Sequence, residues 1–389
     1  MKFVKKESNQ KVPIKSWCYP IEDGAMNQAY NLSKLPFIYK HVALMPDCHQ
    51  GYGMPIGGVI ACDKVIIPNA VGVDIGCGMN AVNTNLTQIS KTQLRSIIND
   101  IKESIPVGFN RYVNKQEEWL DGKEKGDLVG SIIEQEYQNS LCQVGTLGGG
   151  NHFIEIQKGS DGYIYVMLHS GSRNLGYKVA KHYNEIAKKL NEQWHSSVPL
   201  KYELAFLPIE TNEAKNYMQE MKYCIKFAFE NRKRMMNKIE KIFDRYTSAE
   251  FKESINIAHN YAAWENHYGK NVIVHRKGAT LARKNTIGII PGSQGTKSYI
   301  VKGLGNKESF CSCSHGAGRI MGRKQAQRKL NLSIEIEKLN SQGIIHNVKT
   351  IKDLDEAPGA YKDINIVMEN QKDLVEILVE LTPLGTVKG

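Results

Sequence analysis

A carboxylate and a thiol lie three residues apart in the segment Asp74-Ile75-Gly76-Cys77-Gly78. The two glycines around Cys77 let the backbone approach a ligand closely, because glycine has no side chain to obstruct it. Thiolate and carboxylate groups both bind divalent metal ions. The same short pattern also fits a buried cysteine in a tight turn, so ligands from elsewhere in the chain must decide between the two interpretations.

Histidines supply those further candidates. A single histidine in an apolar run is more often a hydrogen-bonded core residue than a metal ligand. The chain has no Cys-x-x-Cys pair, which argues against a structural zinc ribbon and favours a mixed site of Asp, Cys and His. Four of the eleven histidines lie in or next to apolar or glycine-rich segments: His152, His169, His259 and His315.

The bulk composition limits the class of protein. A net charge of +11 suits a polyanionic partner such as nucleic acid, although an excess of lysine also promotes solubility. No run of 18 apolar residues exists, and residues 1–6 lack the apolar stretch of a secretory signal. The eight cysteines are scattered, which fits a reducing compartment. We therefore expect a cytoplasmic protein that does not span a membrane.

Apolar periodicity predicts the secondary structure. Residues 40–85 alternate short apolar runs with glycine and proline, which predicts packed strands joined by tight loops, and residues 270–320 have the same texture. The charged segment at about 110–135 predicts a solvated loop. A strand is predicted at 163–168, delivering His169 at its end. Apolar residues at helical spacing predict helices at 87–104, about 176–193, about 212–246 and 373–381.

Candidate ligands come from positions 74 to 315, so the fold must bring distant segments together. This favours one compact domain over residues 1–389. The glycine-rich segment 287–298 combines small residues with hydroxyls and a lysine, which suits the approach of backbone amides to phosphate. It does not contain a P-loop motif.

Many short motifs occur in order along nearly the whole chain, and through them the chain resembles the RtcB family. Members of that family are GTP- and manganese-dependent RNA-splicing ligases with a histidine nucleophile. The matching segments are Met45-Pro46-Asp47-Cys48-His49-Gln50-Gly51-Tyr52-Gly53, Val71-Gly72-Val73-Asp74-Ile75-Gly76-Cys77-Gly78, Gly149-Gly150-Asn151-His152-Phe153-Ile154-Glu155, His169-Ser170-Gly171-Ser172-Arg173, Arg276-Lys277-Gly278-Ala279, Pro291-Gly292-Ser293, His315-Gly316-Ala317-Gly318-Arg319, Ala360-Tyr361-Lys362-Asp363 and Val387-Lys388-Gly389.

The resemblance implies an α+β fold, a single compact domain of the RtcB type with mixed β-sheets flanked by helices. It also implies two Mn²⁺ ions bridged by Cys77. One ion would also be bound by His169 and His259, and the other by Asp74 and His152. The ligand types alone permit several other divalent ions.

By the same resemblance, His315 is the nucleophile that attacks the α-phosphorus of GTP. Glu155 suits guanine, because a carboxylate accepts from both the N1 and the N2 donors, which adenine lacks. Arg319 would contact phosphate, and Arg173, Lys277 and Arg232 are weaker candidates for RNA phosphates. The implied nucleotide pocket comprises Asn151, His152, Phe153, Ile154, Glu155, His259, Asn260, Pro291, Gly292, Ser293, Gln294, Ser298, His315, Gly316, Ala317, Gly318, Tyr361 and Lys388.

The implied substrate is RNA with a 3′-phosphate or 2′,3′-cyclic phosphate end and a 5′-hydroxyl end, with an archease-type activator as a further partner. One departure stands out: the family often continues from the His315 motif to a Ser-Arg pair, whereas this chain has Gly322-Arg323. Two other functions remain open from the residues. One is a dinuclear metal phosphoesterase or RNA end-processing enzyme without sealing activity, and the other is a non-catalytic RNA-binding protein.

Overall fold

Two large β-sheets, packed with helices, organise the chain in this computed structural model, which describes residues 1–120, 124 and 128–389. The predicted α+β class is confirmed. The strands are β1 Phe3–Lys5, β2 Ile14–Ser16, β3 Ile38–His49, β4 Ile56–Cys62, β5 Val65–Ile66, β6 Gly78–Asn83, β7 Phe153–Gly159, β8 Ile164–Ser170, β9 Leu207–Pro208, β10 Ile255–Ala258, β11 Asn260–His267, β12 Lys270–Lys277, β13 Ala279–Leu281, β14 Ile287–Ile290, β15 Ser298–Gly303, β16 Ser312–Ser314 and β17 Val375–Lys388.

Helices connect and cover these strands. Among the described residues, the α-helices are Asp23–Ser33, Lys91–Ser104, Ile132–Ser140, Arg173–Gln193, Asn212–Phe243, Arg323–Lys329, Leu332–Ser341 and Ile364–Glu369. Short 3-10 helices occur at Pro68–Ala70, Leu200–Tyr202, Lys307–Ser309, Ile351–Glu356 and Pro358–Ala360. None of the described helices is long and apolar enough to cross a bilayer.

The seven-stranded sheet has the order β10-β6-β8-β7-β17-β15-β14, and every neighbouring pair in it is antiparallel. Antiparallel pairing places the beginning of one strand beside the end of its neighbour. The ends of β10, β8 and β17 therefore lie at the same edge as the beginnings of β6 and β7. The six-stranded sheet has the order β1-β2-β3-β4-β12-β11, with one parallel pair, β2 and β3.

The helix Asn212–Phe243 spans two parts of the core. Its first half contributes Tyr217 and Phe227 to a cluster that also contains apolar residues of the Arg173–Gln193 helix. Its second half contributes Met235 and Ile239 to a cluster with apolar residues of β7 and β8. The amphipathic pattern predicted this helix, since the apolar side chains recur on the face that is buried.

The helix predicted at 373–381 is wrong, because this segment is the first half of β17. Glu376 and Glu380 are four residues apart, which resembles a helical surface. Val375, Ile377 and Val379 alternate with period two, however, and β-branched residues favour strands. The segment pairs with β15, and the rest of β17 pairs with β7, so tertiary pairing decided its conformation.

Other boundaries differ by a few residues from the predicted ones. The first long helix begins at Lys91 rather than 87, because Ser90 and Gln93 form a capping box there. The Arg173–Gln193 helix begins three residues before the predicted start. Within the predicted loop at 110–135, Trp119 is buried against Phe227, and a helix begins at Ile132. Residues 121–123 and 125–127 of that prediction lie outside the described residues.

Gly78, the first residue of β6, allows the close approach of β10. A Cβ at this position would lie 1.9 Å from the Ile257 carbonyl oxygen. We expect Gly78→Ala to lower the free energy of unfolding by about 1–3 kcal/mol through this overlap. Gly322→Ser is the matched control, because a Cβ at 322 meets no atom within 4 Å among the described residues. Denaturant midpoints of the two variants check this, and equal midpoints would contradict the steric account.

Candidate metal centre and adjoining histidine

Four candidate ligands gather at one edge of the seven-stranded sheet. Cys77 comes directly before β6, and His152 comes directly before β7. His169 is the penultimate residue of β8, where it pairs with Met79 and Phe153. His259 directly follows β10, whose last residue pairs with Gly78. The strand register alone therefore brings these four residues, which are far apart in sequence, to one place.

The donor atoms of the five predicted metal ligands form a continuous chain. Asp74 Oδ2 lies 3.3 Å from His152 Nε2, which lies 3.5 Å from Cys77 Sγ. The same sulfur lies 3.2 Å from His169 Nε2, and that nitrogen lies 3.3 Å from His259 Nε2. Cys77 is therefore the central donor, with two candidate ligands on either side of it.

Backbone carbonyls orient two of the imidazole rings. Nδ1 of His152 lies 2.9 Å from the Leu147 carbonyl oxygen, and Nδ1 of His169 lies 3.2 Å from that of Asn151. A carbonyl only accepts, so each Nδ1 carries the proton when the ring is neutral. Each Nε2 then presents a lone pair to the sulfur, as in metal-ligating histidines whose second nitrogen donates to a neighbour.

These donors fit a divalent cation. Burial lowers the pKa of His169 and His259 well below the usual value, and the neighbouring histidines lower it further. The two Nε2 atoms of His169 and His259 lie 3.3 Å apart, so both can bind one cation, whereas without a cation a neutral His259 can donate from Nε2 to His169. Separations of 3.2–3.5 Å also suit two ligands of one ion with bonds of about 2.0–2.3 Å. Cys77, His152 and His169 together form a geometric metal-binding group.

Arg232 stabilises this edge of the sheet through hydrogen bonds. Its side chain is fully buried, and Nη1 donates to the carbonyl oxygens of Gly76 and Ser170, both at 2.9 Å. Nε donates to Asn256 Oδ1 at 2.7 Å. The guanidinium thus ties together the three segments that carry Cys77, His169 and His259. It is not available to RNA, so the prediction of Arg232 as a surface phosphate contact is wrong.

Two further contacts position Asp74. Ser172 donates its backbone N–H to Asp74 Oδ1 at 3.0 Å, and Asn260 donates its side-chain amide to the Asp74 carbonyl oxygen at 3.1 Å. Gly171 leaves the space that this carboxylate needs, because a Cβ there would lie 2.2 Å from its oxygens. Burial raises the pKa of Asp74, but His152, the charge of Arg173 and the Ser172 backbone N–H together keep the pKa below its usual value.

His315 lies next to the cluster, at the end of the short strand β16. Its ring centroid is 4.8 Å from that of His259. Nδ1 lies 2.6 Å from Oδ2 of Asp47, and the His315 backbone N–H donates to the same oxygen at 3.1 Å. Asp47 is fully buried in β3. Its carboxylate accepts a hydrogen bond from the Nδ1–H of the neutral ring, so the lone pair is on Nε2.

A second buried carboxylate, Glu155, lies in β7 among the residues implied for the nucleotide. Thr386 donates its hydroxyl to Oε1 at 2.9 Å, and Gln157 donates its amide to Oε2. Burial raises the pKa of Glu155 to about 7. Lys388, the last residue of β17, pairs with Phe153, and its ammonium lies 5.6 Å from the Phe153 ring centroid.

Glu356 forms ion pairs with three basic side chains that lie near the implied nucleotide residues. Arg319 Nη1 lies 3.1 Å from Oε1, and Arg323 Nε lies 2.9 Å from the same oxygen. Lys388 Nζ lies 3.9 Å from Oε2, which also accepts the Tyr361 hydroxyl. Three cations thus surround one carboxylate, and this local excess of positive charge suits a polyphosphate.

Side-chain hydrogen bonds fix the loop from Pro291 to Ser298, both within the loop and to its neighbours. Ser298 Oγ accepts from the Gly292 backbone N–H at 3.1 Å and also from Gln157. Gln294 donates its amide to the Glu356 carbonyl oxygen at 2.9 Å. This loop is therefore joined both to the Glu155 region and to the cation cluster. In the next loop, Gly318 has a φ of +73°, and a Cβ there would overlap the Asp47 backbone.

Several basic residues have structural partners instead of free head groups. Lys277 is buried and donates to the Asn69 carbonyl oxygen at 2.9 Å, and burial lowers its pKa to about 7. Arg173 donates to Thr146 Oγ1 at 3.1 Å and to the Gly108 carbonyl oxygen at 2.9 Å. Arg319 also binds the Met321 carbonyl oxygen at 3.0 Å.

Sequence reasoning missed the roles of Asp47 and Glu356. Asp47 lies within a segment that matched the family motif, but a carboxylate in an apolar run did not reveal that it would meet His315, 268 residues later. Glu356 lies in a charged stretch of the sequence that was not part of any matching motif. Only its contacts with Arg319, Arg323 and Lys388 distinguish it from a surface acid.

Comparison with known proteins agrees with this site. A family model described as tRNA-splicing ligase RtcB matches residues 28–138 and 111–389. The chain is 38% identical over 406 residues to RNA-splicing ligase RtcB of Escherichia coli (strain K12), covering 98% of both chains. It is 32% identical over 442 residues to tRNA-splicing ligase RtcB of Thermococcus kodakarensis (strain ATCC BAA-918 / JCM 12380 / KOD1), covering 95% of this chain and 92% of that one.

A buried thiol and imidazole cluster beside a carboxylate-oriented histidine is a candidate metal centre, and the comparisons give the family of the chain. The chain belongs to the RtcB family and is an enzyme of the ligase class. The resemblance inferred from the ordered motifs is thereby confirmed.

Metal uptake by the cluster should depend on pH. Burial raises the pKa of the Cys77 thiol well above its usual value, and Asp74 raises it further, so without metal the sulfur keeps its proton at neutral pH. A thiolate ligand must lose that proton. We expect the association constant for Mn²⁺ to rise about tenfold per pH unit between roughly pH 7 and 8.5. Titration calorimetry in buffers of different ionisation enthalpy measures the released proton, and a pH-independent constant would contradict it.

Proposed function

We propose that this protein is an RNA ligase that joins RNA 3′-phosphate or 2′,3′-cyclic phosphate ends to 5′-hydroxyl ends through a GMP-histidine intermediate. Such a reaction serves RNA repair or tRNA splicing, and the free state of all eight cysteines suits a reducing cytoplasm. The observation that carries the proposal is the pair formed by His315 and buried Asp47, next to His259 of the candidate metal centre.

The proposed metal centre takes two Mn²⁺ ions. Cys77 would be shared between them, with Asp74 and His152 on one side and His169 and His259 on the other. Support comes from the sequence of donor contacts, in which the sulfur is central. Bound metal ions would supply positive charge that stabilises phosphoryl oxygens.

His315 begins the proposed reaction. Its Nε2 attacks the α-phosphorus of GTP, a P–N bond forms, and the bond to pyrophosphate breaks. Asp47 keeps the proton on Nδ1 and balances the positive charge that develops on the ring. Because Asp47 is buried and also accepts the His315 backbone N–H, the ring has a fixed orientation before GTP arrives.

The guanylate then moves to the RNA. An oxygen of the RNA 3′-phosphate attacks the same phosphorus and breaks the P–N bond, which returns the electron pair to Nε2. The 5′-hydroxyl oxygen next attacks the RNA phosphorus of the activated 3′ end and loses its proton to water. The P–O bond to GMP breaks, and GMP leaves with the electron pair as the 3′,5′ linkage forms. A 2′,3′-cyclic phosphate is hydrolysed to the 3′-phosphate before these steps.

The proposed nucleotide pocket contains buried polar groups that can form further hydrogen bonds. Glu155 accepts one hydrogen bond at each oxygen and can accept the N1 and N2 protons of guanine as well. His259 Nδ1 is buried without a hydrogen-bond partner among the described residues. Polyphosphate would meet the cations around Glu356. The remaining pocket residues are proposed as Asn151, His152, Phe153, Ile154, Asn260, Pro291, Gly292, Ser293, Gln294, Ser298, Gly316, Ala317, Gly318, Tyr361 and Lys388.

RNA is the proposed partner because the chain carries a net charge of +11 and the relatives are named RNA-splicing or tRNA-splicing ligases. An archease-type activator is a further proposed partner, which rests on the family resemblance alone. Ligation is favoured over phosphoester hydrolysis without sealing, because hydrolysis at a metal centre would not require an oriented nucleophilic histidine.

A labelled adduct tests the proposed nucleophile. We expect incubation with Mn²⁺ and α-labelled GTP to give an acid-labile, alkali-stable label on the protein, which is absent in His315→Ala. In Asp47→Asn, the rate of labelling should fall by a factor on the order of 10²–10⁴, because the ring loses the carboxylate that fixes its tautomer.

The metal content of Asp47→Asn provides the control, because Asp47 is not a candidate ligand. Normal metal content with slow labelling would support the assigned role. A wild-type protein that takes up metal and cleaves RNA phosphoesters, but never acquires label, would favour the end-processing enzyme instead.

Glu155 makes guanine binding depend on pH in this proposal. Its pKa of about 7 means that the carboxylate is ionised above this pH and protonated below it. We expect guanosine affinity in His315→Ala, which forms no adduct, to fall about tenfold per pH unit below 7 and to be constant above it. Inosine, which lacks the N2 donor, should bind about tenfold more weakly at pH 8. Calorimetry from pH 5.5 to 8.5 measures both, and an unchanged profile in Glu155→Gln would refute the assignment.

A further inference from the structure

An aromatic side chain stands fully in solvent next to the candidate metal centre. Phe109 has a relative exposure of 107%, which is higher than that of any other large apolar residue in the described parts of the chain. Its neighbours Asn110 and Arg111 are also exposed, and Gly108 precedes it. Val113, four residues further along, is also almost fully exposed, and Asn110, Arg111 and the half-buried Tyr112 lie between the two in sequence.

The segment that carries Phe109 is fixed to the backbone that positions His152. The Gly108 N–H donates to the Gly148 carbonyl oxygen at 2.8 Å, and the Leu147 N–H donates to that of Pro106 at 3.0 Å. Leu147 in turn accepts from Nδ1 of His152. Phe109 thus follows a residue that is hydrogen-bonded to the loop that positions His152.

Other contacts make this segment rigid. Arg173, at the start of the helix that follows β8, donates to the Gly108 carbonyl oxygen at 2.9 Å. The Tyr112 hydroxyl donates to the Gly145 carbonyl oxygen at 2.9 Å, and the Lys238 ammonium lies 4.6 Å from the Tyr112 ring centroid. A rigid support lowers the entropic cost when an exposed ring binds a partner.

Cations lie on both sides of Phe109 in the fold. Arg111 and Lys115 are the charged residues of 104–116, which Glu103 and Glu117-Glu118 flank, and the Lys238 ammonium lies at the Tyr112 hydroxyl. No described carboxylate lies within ion-pair distance of Arg111. A protein partner would require a large contiguous apolar surface, and the two exposed side chains Phe109 and Val113 provide much less than a stable interface buries. An aromatic ring beside a cation is the arrangement that binds an unpaired base and its phosphate.

We propose that Phe109 stacks on an unpaired nucleobase of the RNA substrate close to the joined ends, while Arg111 contacts a backbone phosphate. This inference rests on the proposed function and assigns a binding residue beyond it. Stacking on an aromatic ring tolerates any base, since every base has a π-face. Phe109 therefore promotes binding of unpaired ends without selecting their sequence.

RNA binding without GTP tests the proposal. The probe is a single-stranded RNA 12-mer with a 3′-phosphate, measured by fluorescence anisotropy at several salt concentrations. We expect Phe109→Leu to weaken binding about tenfold with an unchanged salt slope, and Phe109→Trp to bind as the wild type does. Arg111→Gln should weaken binding and reduce the salt slope by about one.

Trp194→Leu is the matched control. Trp194 is also an exposed aromatic residue, but it follows the far end of the Arg173–Gln193 helix, about 30 Å from Arg173 by the rise of an α-helix. This variant should bind RNA as the wild type does. Thermal midpoints show that the Phe109 variants are folded, and a fully exposed ring contributes little to them.

Base stacking has its own spectroscopic signature. With 2-aminopurine near the 3′-phosphate or near the 5′-hydroxyl, we expect quenching at one of these ends in the wild type and its loss in Phe109→Leu. Equal RNA affinity and equal quenching in Phe109→Leu would overturn the proposal even if the protein ligates RNA. Absence of ligation by the wild type would instead remove the proposed function, while the binding measurements would still report on stacking.

Discussion

The rest of the site depends on one constraint, the central position of the Cys77 sulfur between the two halves of the candidate ligand set. This sulfur lies within 3.5 Å of two imidazole nitrogens, each of which has its own further neighbour in the ligand set. Buried polar groups need partners, and here the candidate ligands are one another's neighbours. The antiparallel sheet holds them in this arrangement through its backbone hydrogen bonds.

Buried polar residues complete this support. Arg232 joins three ligand-bearing segments through three hydrogen bonds, and its burial lowers its pKa to about 10, so it remains charged at neutral pH. Arg232 lies in the second half of the Asn212–Phe243 helix. The helix packs on the core with its apolar face and also places this cation at the edge of the sheet that carries the candidate metal ligands.

The two large sheets meet at His315. The candidate metal ligands belong to the seven-stranded sheet, whereas Asp47 belongs to β3 of the six-stranded sheet. His315 lies between them, with its ring near His259 and its Nδ1 on Asp47. The proposed nucleophile is thus oriented by one sheet and held beside candidate metal ligands from the other. This arrangement explains why the site requires segments from nearly the whole chain.

The sequence by itself determined the family, the α+β class and the residue types that carry chemistry, because those rest on local motifs and their order. It also predicted the long helix, since amphipathic periodicity is a local property. Only the tertiary structure decided that residues 375–388 form a strand, because pairing with β7 and β15 outweighs their helix-like spacing of charges. It also decided that Arg232 is buried and that Asp47 faces His315, since such contacts depend on distances between remote segments, which no local pattern contains.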